Sequence, residues 1–200
     1  MNDRSPEYIR PLLVRIDRLM AEWERVLVAI DGGSASGKTT LGALLQNVYG
    51  CPVFHMDDFF LRPEQRTPER FSEPGGNVDR ERFLSEVLLP LREGKTVDYR
   101  RFDCKTFTIA SPRRIEPGRL NIIEDAYAMH PDLAPYYDLT VFLAVSAEKQ
   151  RERILKRNAP AQAELFFDRW IPFEQRYFAA LNVPERCDLT IFLDDQTSVP

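Results

Sequence analysis

Histidine and cysteine are scarce in this chain, which has two of the first and three of the second in 200 residues. Cys51, Cys104 and Cys187 stand far apart, with neither metal-ligand spacing nor a disulfide framework. With only His55 and His130 beside them, no zinc site is expected. No apolar run is long enough to span a bilayer, so no membrane partner is expected. The opening MNDRSPEYIR lacks the apolar core of a signal peptide, which points to a cytoplasmic protein. Positive charge is not in excess either. Twenty-seven Lys and Arg against 31 Asp and Glu leave a net charge of −4, which disfavours a broad nucleic-acid surface. An anionic ligand would need a local basic pocket. Repeats, low-complexity tracts and linkers are missing too, so residues 1–200 read as a single domain.

What is present is globular: 44% hydrophobic and 29% charged, enough to build a core. Pro11 to Val26 spaces its apolar residues at helical intervals, so residues 1–25 form an amphipathic lead-in helix. Arg25 to Asp31 reads as a buried strand, Thr39 to Tyr49 as a helix and Val53 to Met56 as a second strand. Residues 61–79 form a polar loop rich in Pro and Gly, of a length that is usually functional. Arg80 to Leu91 predicts a helix broken near Pro90, and Lys95 to Pro117 a hairpin. Strands follow at Leu120 to Glu124 and Leu139 to Val145, then a basic helix from Ala147 to Arg157. Trp170 to Leu181 is helical and Leu189 to Leu193 a last strand. Apolar strands alternating with helices predict an α/β fold with a largely parallel sheet, covered on both faces. Ligands bind such sheets beyond the carboxyl ends of the strands.

The strongest signal follows the first strand. Gly32, Gly33, Ser34, Ala35, Ser36, Gly37, Lys38 and Thr39 satisfy G-x-x-x-x-G-K-[ST] between a strand and a helix. Small residues let successive N–H groups turn inward on an anion, and the helix opening at Thr39 and Thr40 adds its free amides. Lys38 can reach the β- and γ-phosphates and the Thr39 hydroxyl can ligate Mg²⁺. Asp57 and Asp58 end the second strand, where acids either cap the next segment or serve chemistry. Beside a phosphate loop, Asp57 is assigned as the base for an attacking hydroxyl and Asp58 as a metal-shell or structural residue. Glu124 ends the next strand, either as a Mg²⁺ ligand acting through water or as a plain strand-terminal acid. Arg151, Arg153, Lys156 and Arg157 form a solvated face or a lid over residues 147–170. In the lid reading Arg153 and Arg157, four apart, neutralise the transferring phosphoryl group. Phe71, Phe83, Tyr99, Phe102 and Phe107 are either core or stacking walls for a flat ring.

Taken together these pieces resemble the uridine kinase and phosphoribulokinase-like branch of the P-loop kinases. GGSASGKTT is similar to the phosphate loop of that branch, and HMDDFF to its strand-end segment carrying the base, which falls on Asp57. PGGNVDRERF and YRRFDCKT stand where the branch binds its acceptor. IIED falls at its strand ending in glutamate–glycine. QRERILKRN resembles its arginine-bearing helix and RWIPFEQRYF a later segment, so the likeness spans residues 26 to 193. Two positions depart from it: Asp125 replaces a glycine, and Phe107 stands near where uridine kinases carry an acceptor-reading histidine. The resemblance implies a P-loop NTPase three-layer sandwich with a five-stranded parallel sheet, order 2-3-1-4-5, and a small lid. It implies ATP and Mg²⁺ as cofactors, a small hydroxyl acceptor with uridine or cytidine first, and a possible homo-oligomer. A pantothenate-like vitamin or a phosphosugar, held by Arg100 and Arg101 or by Arg113 and Arg114, is the alternative acceptor. A nucleotide switch is a different class, although no guanine-reading N-K-x-D motif occurs. A domain that binds ATP without turnover is a third.

Overall fold

A computed structural model describes residues 6–193. A turn at Glu7–Ile9 leads into α1 (Arg10–Glu22), and β1 (Val26–Gly32) then runs through the centre of the molecule with every residue buried. The phosphate-loop sequence joins β1 to α2 (Lys38–Tyr49), which is followed by β2 (Val53–His55). Successive side chains of a strand point to opposite faces, so a strand buried on both faces is apolar without a break. β1 shows this directly. Val26, Val28 and Ile30 enter a core with Ile9, Leu12, Ile16, Leu41 and Leu45, beneath α1 and α2. Leu27 and Ala29 enter the opposite core, with Phe54, Phe83, Val87, Ile123 and Tyr177. Helices therefore cover both faces of the sheet in three layers.

The expected helix over Arg80 to Leu91 is helical throughout, as α4 (Arg80–Phe83), a π turn (Leu84–Leu88) and α5 (Leu89–Arg92), after a short α3 (Pro68–Ser72). It is not broken near Pro90. Proline has no N–H to return to the preceding turn, and the widened turn just before it absorbs the misfit. A second π turn, Phe166–Trp170, precedes Pro172 in the same way.

The expected hairpin over Lys95 to Pro117 is two nested antiparallel ribbons. β3 (Val97–Tyr99) pairs with β6 (Arg113–Ile115), and β4 (Phe102–Asp103) with β5 (Thr108–Ile109). Then come β7 (Leu120–Glu124) and β8 (Leu139–Ala144). α6 (Ala147–Arg157) is capped by Ser146, whose hydroxyl accepts from the Lys149 N–H. α7 (Pro160–Leu165), α8 (Ile171–Leu181), α9 (Val183–Arg186) and β9 (Leu189–Phe192) complete the described chain.

The main sheet has five parallel strands in the order β2-β7-β1-β8-β9. In chain order that is 2-7-1-8-9 and not the expected 2-3-1-4-5, because the four ribbon strands fall between β2 and β7. With those ribbon strands left out of the count, the two orders coincide. Among the described residues no helix is long and apolar enough to cross a membrane.

Candidate active site

The carboxyl ends of β1, β2 and β7 open on one cleft of about 640 Å³. Ser34 to Thr40, Asp57, Glu124, Arg153 and Arg157 all line it, so the sheet brings together most of the residues singled out in the sequence. Gly32 and Gly33 shape the cleft from behind. A side chain at Gly32 would put its Cβ 2.6 Å from the Leu143 carbonyl oxygen, and Gly37 adopts φ +109 at the start of α2. Ala35 takes φ +59, so the loop turns through left-handed positions in close succession. α2 makes its first intrahelical bond at the Leu41 N–H, received by the Gly37 carbonyl. The amides of Lys38, Thr39 and Thr40 thus lack a partner one turn back, the arrangement that favours an anion. Lys38 Nζ donates to the carbonyls of Gly32 at 2.9 Å and Gly33 at 3.0 Å.

Behind this loop lies a set of side chains that the motif reading passed over. Asp31 is wholly buried and accepts from the N–H of Gly32 at 2.6 Å, the N–H of Met129 at 2.9 Å and the Tyr177 hydroxyl at 2.8 Å. Burial still outweighs these bonds and pushes its carboxyl up to about 6. Glu174 accepts from both the N–H and the hydroxyl of Ser34, while Gln150 Nε2 donates to the Ser34 carbonyl at 2.8 Å. Burial pushes the Glu174 carboxyl up as well. Glu174 lies within RWIPFEQRYF, so the family-like segment was the available signal. Asp31 gave none beyond being an acid inside an apolar strand.

The acids at the strand ends divide sharply. Asp57 sits on the single 3₁₀ turn after β2 (Met56–Asp58) and faces the cleft. Asp57 is itself open to solvent, yet the cleft walls packed around it, with Asp58 and Glu124 nearby, push its carboxyl up. Asp58 points the other way and does not line the cleft. Its Oδ1 takes the Arg101 Nε at 2.6 Å and its Oδ2 the Tyr99 hydroxyl at 2.8 Å. Of the two roles expected for Asp58, metal-shell or structural, these contacts support the structural one: both oxygens are engaged in tying β3 and the segment after it to the turn after β2. Glu124 receives the Thr39 hydroxyl at 3.0 Å, and its Oε1 lies 2.7 Å from His55 Nδ1. That hydrogen bond pushes the His55 pKa up. Asp125, at the glycine position of the resemblance, holds φ +156, and Tyr127 follows at φ +78. The Asp125 carboxylate lies 3.8 Å from Lys38 Nζ and, desolvated, is raised well above the usual range.

Arg153 and Arg157, read as either a solvated face or a lid, also separate. Arg153 donates to the carbonyls of Ala35 at 3.1 Å, Ser36 at 3.2 Å and Leu193 at 3.1 Å. In a trans peptide the carbonyl points away from its N–H, so Arg153 braces the outside of the loop. Arg157 is exposed, borders the cleft and lies over the Phe166 ring at 5.3 Å. The five aromatics considered as stacking walls are elsewhere. Phe83, Tyr99 and Phe102 are core, Phe71 stacks on Phe173, and Phe107 is 49% exposed beside Arg66. Phe60, Tyr127 and Trp170 line the cleft in their place, with Asn77 from the PGGNVDRERF segment.

No family model matches this chain. Its sequence is similar to uridine kinase-like protein 4 of Arabidopsis thaliana, 28% identical over 141 residues, 66% of this chain but 30% of that protein's length. It is also 28% identical over 143 residues to a uridine kinase of Chloroflexus aurantiacus, covering 66% of this chain and 68% of the relative. The chain thus spans under a third of the first relative and about two thirds of the second. Among solved structures, that of a possible uridine kinase from Bacillus stearothermophilus superposes with a TM-score of 0.64 at 23% identity, over 90% of this chain and 99% of the other. D-glycerate 3-kinase from Cryptococcus neoformans gives 0.62 at 13%, over 95% and 96%. The chain has the P-loop kinase fold, and the resemblance to the uridine kinase-like branch is borne out.

Proposed function

We propose that this chain is a kinase that moves the γ-phosphoryl group of ATP to a hydroxyl of a small neutral compound, with a nucleoside such as uridine or cytidine as first candidate. The observation that carries the reading is Asp57: an acid of raised pKa that opens into the same cleft as Lys38, Thr39 and Glu124. In this reading the loop amides from Gly37 to Thr40 hold the triphosphate, while Lys38 and Arg157 neutralise its charge. Asp57 orients the acceptor hydroxyl and takes its proton as the new P–O bond forms. A loose phosphoryl-transfer transition state needs little early proton removal, so positioning matters more than base strength.

The donor set for a metal is all oxygen: the Thr39 hydroxyl and the Glu124 carboxylate, already in contact, with Asp57 near by. Among the described residues no three His, Cys, Asp or Glu side chains form a metal-holding group of their own. One or two carboxylates completed by phosphate oxygens suit Mg²⁺. When bound, the ion offsets charge on the transferring phosphates. Glu174, Gln150 and Arg153 hold the loop in shape behind these groups.

The charges around the acceptor end support a neutral acceptor over a phosphosugar. Arg100 pairs with Glu86 and Arg101 with Asp58, Arg70 reaches Glu81 at 2.7 Å and Arg80 reaches Asp132 at 2.9 Å. Arg113 and Arg114 lie on an exposed ribbon that does not line the cleft. A phosphate on the acceptor would meet Asp57 and Asp125 with these cations already engaged. The test is ADP release with Mg-ATP against nucleosides, vitamins and sugar phosphates, with Asp57→Asn alongside. One acceptor should stimulate turnover, and Asp57→Asn should lower it by about 10²-fold or more while ATP binding persists. A panel without any stimulation, or full activity in Asp57→Asn, would count against the proposal.

A further inference from the structure

We propose that Tyr8, ahead of the lead-in helix, is the platform on which the base of the donor nucleotide stacks. This rests on reading the cleft as a nucleoside triphosphate site. The phosphoryl-transfer end is marked by Asp57, Glu124 and Lys38, so the base of a bound triphosphate lies at the other end, past Thr40. The two ends belong to opposite faces of the sheet. Tyr127 and Val78 at the acceptor end belong to the core that contains Phe59 and Phe83. Tyr8 and Leu44 pack instead against the core beneath α1 and α2, which contains Leu41 and Leu193. Tyr8, Leu44 and Leu193 all border the cleft, so its far end is apolar and closed by a half-buried aromatic ring.

Tyr8 is also held in place. Its neighbour Ile9 and Leu12 one turn on are fully buried, and the Ile9 N–H bonds the Pro6 carbonyl at 3.2 Å. Arg153 reaches the same end and is fixed there by the Leu193 carbonyl at 3.1 Å. A flat ring entering this end meets an aromatic side chain and the aliphatic Leu44 and Leu193, the surroundings in which bases stack, with the Arg153 guanidinium bordering them. The amphipathic pattern of α1 explains its own packing but not why an aromatic precedes it at the edge of the cleft; a base platform does.

The experiment measures dissociation constants, by calorimetry with Mg²⁺, for ATP, ADP and inorganic tripolyphosphate on the full chain. Tyr8→Leu, which keeps apolar packing but removes the ring, should weaken ATP and ADP by about tenfold and leave tripolyphosphate unchanged. Tyr8→Phe should stay within about twofold of the native chain for all three. Unchanged ATP and ADP binding in Tyr8→Leu would overturn the proposal. Equal weakening of all three ligands would also overturn it, since Tyr8 would then merely support the loop. Failure of the native chain to bind ATP at all would remove the kinase reading itself, a result distinct from either.

Discussion

Asp31 is the residue whose energetics run against the usual expectation for a carboxylate. Most acids in folded proteins are stabilised when charged; this one accepts three hydrogen bonds and is still pushed up to about 6 by burial. Its folded pKa therefore lies above its unfolded value. The stability tied to its proton is complete below about pH 4 and is lost as pH rises through about 6, for a total on the order of 3 kcal/mol. Urea midpoints for the native chain and Asp31→Asn, followed from about pH 4 to pH 7, should differ by that slope, whatever constant offset the amide introduces. Equal slopes would remove Asp31 as the source. Asp125 shows the same economy of space from the other side of the loop. A non-glycine residue at φ +156 is uncommon, and here it places a carboxylate 3.8 Å from the phosphate-loop lysine. The replacement of glycine was visible in the sequence, but its approach to Lys38 was not.

At the scale of elements, α8 is the part that fastens the loop. Glu174 and Tyr177 stand three residues apart on one side of this helix, the first holding Ser34 and the second Asp31. Tyr177→Phe removes one donor from a buried carboxylate and should cost about 1–3 kcal/mol of stability, read from denaturant unfolding at neutral pH. A loss well under that range would mean Asp31 does not depend on the hydroxyl. The strands were the most legible elements, because those buried on both faces leave unbroken apolar runs such as LVAI in β1 and VFLA in β8. The basic helix Ala147 to Arg157 was legible to the residue, and the structure shows why its bounds are sharp: the Ser146 hydroxyl caps its start and Asn158 ends it in an extended conformation. The ribbons were not, since strands of two or three residues are too short to show a period. Nor could the sequence show why Asp57 faces the cleft while Asp58 turns away from it. Adjacent acids look alike in sequence, and what separates them is a single turn of 3₁₀ helix together with Arg101, 43 residues from Asp58. Arg153 and Arg157 were told apart in the same way, by carbonyls at Ala35 and Leu193 that no local pattern around Arg153 reveals.

For the whole molecule, one cleft draws on most of the chain, and a ligand filling it should stabilise the folded state as a unit. Mg-ATP at about a hundred times its dissociation constant should add about 2.7 kcal/mol. In a chain of this size that raises the melting temperature by about 2–4 °C per kcal/mol. Asp57→Asn should keep this rise and Lys38→Ala should lose most of it; a calorimetric scan that found neither variant altered would place the nucleotide elsewhere. The far end of the same cleft joins residues 185 positions apart, Tyr8 near the start of the described chain and Leu193 at its close. Leu193 is positioned by its N–H bond to the Ala144 carbonyl at 3.1 Å, beyond the pairing of β9 with β8, and in turn receives Arg153. The phosphate loop is therefore translated early, but the bond that fixes its Arg153 brace to the far end of the cleft waits for β9. A chain growing from the ribosome therefore cannot close the far end of this cleft before β9 has emerged, and a product cut short ahead of β9 lacks the Leu193 carbonyl that fixes Arg153.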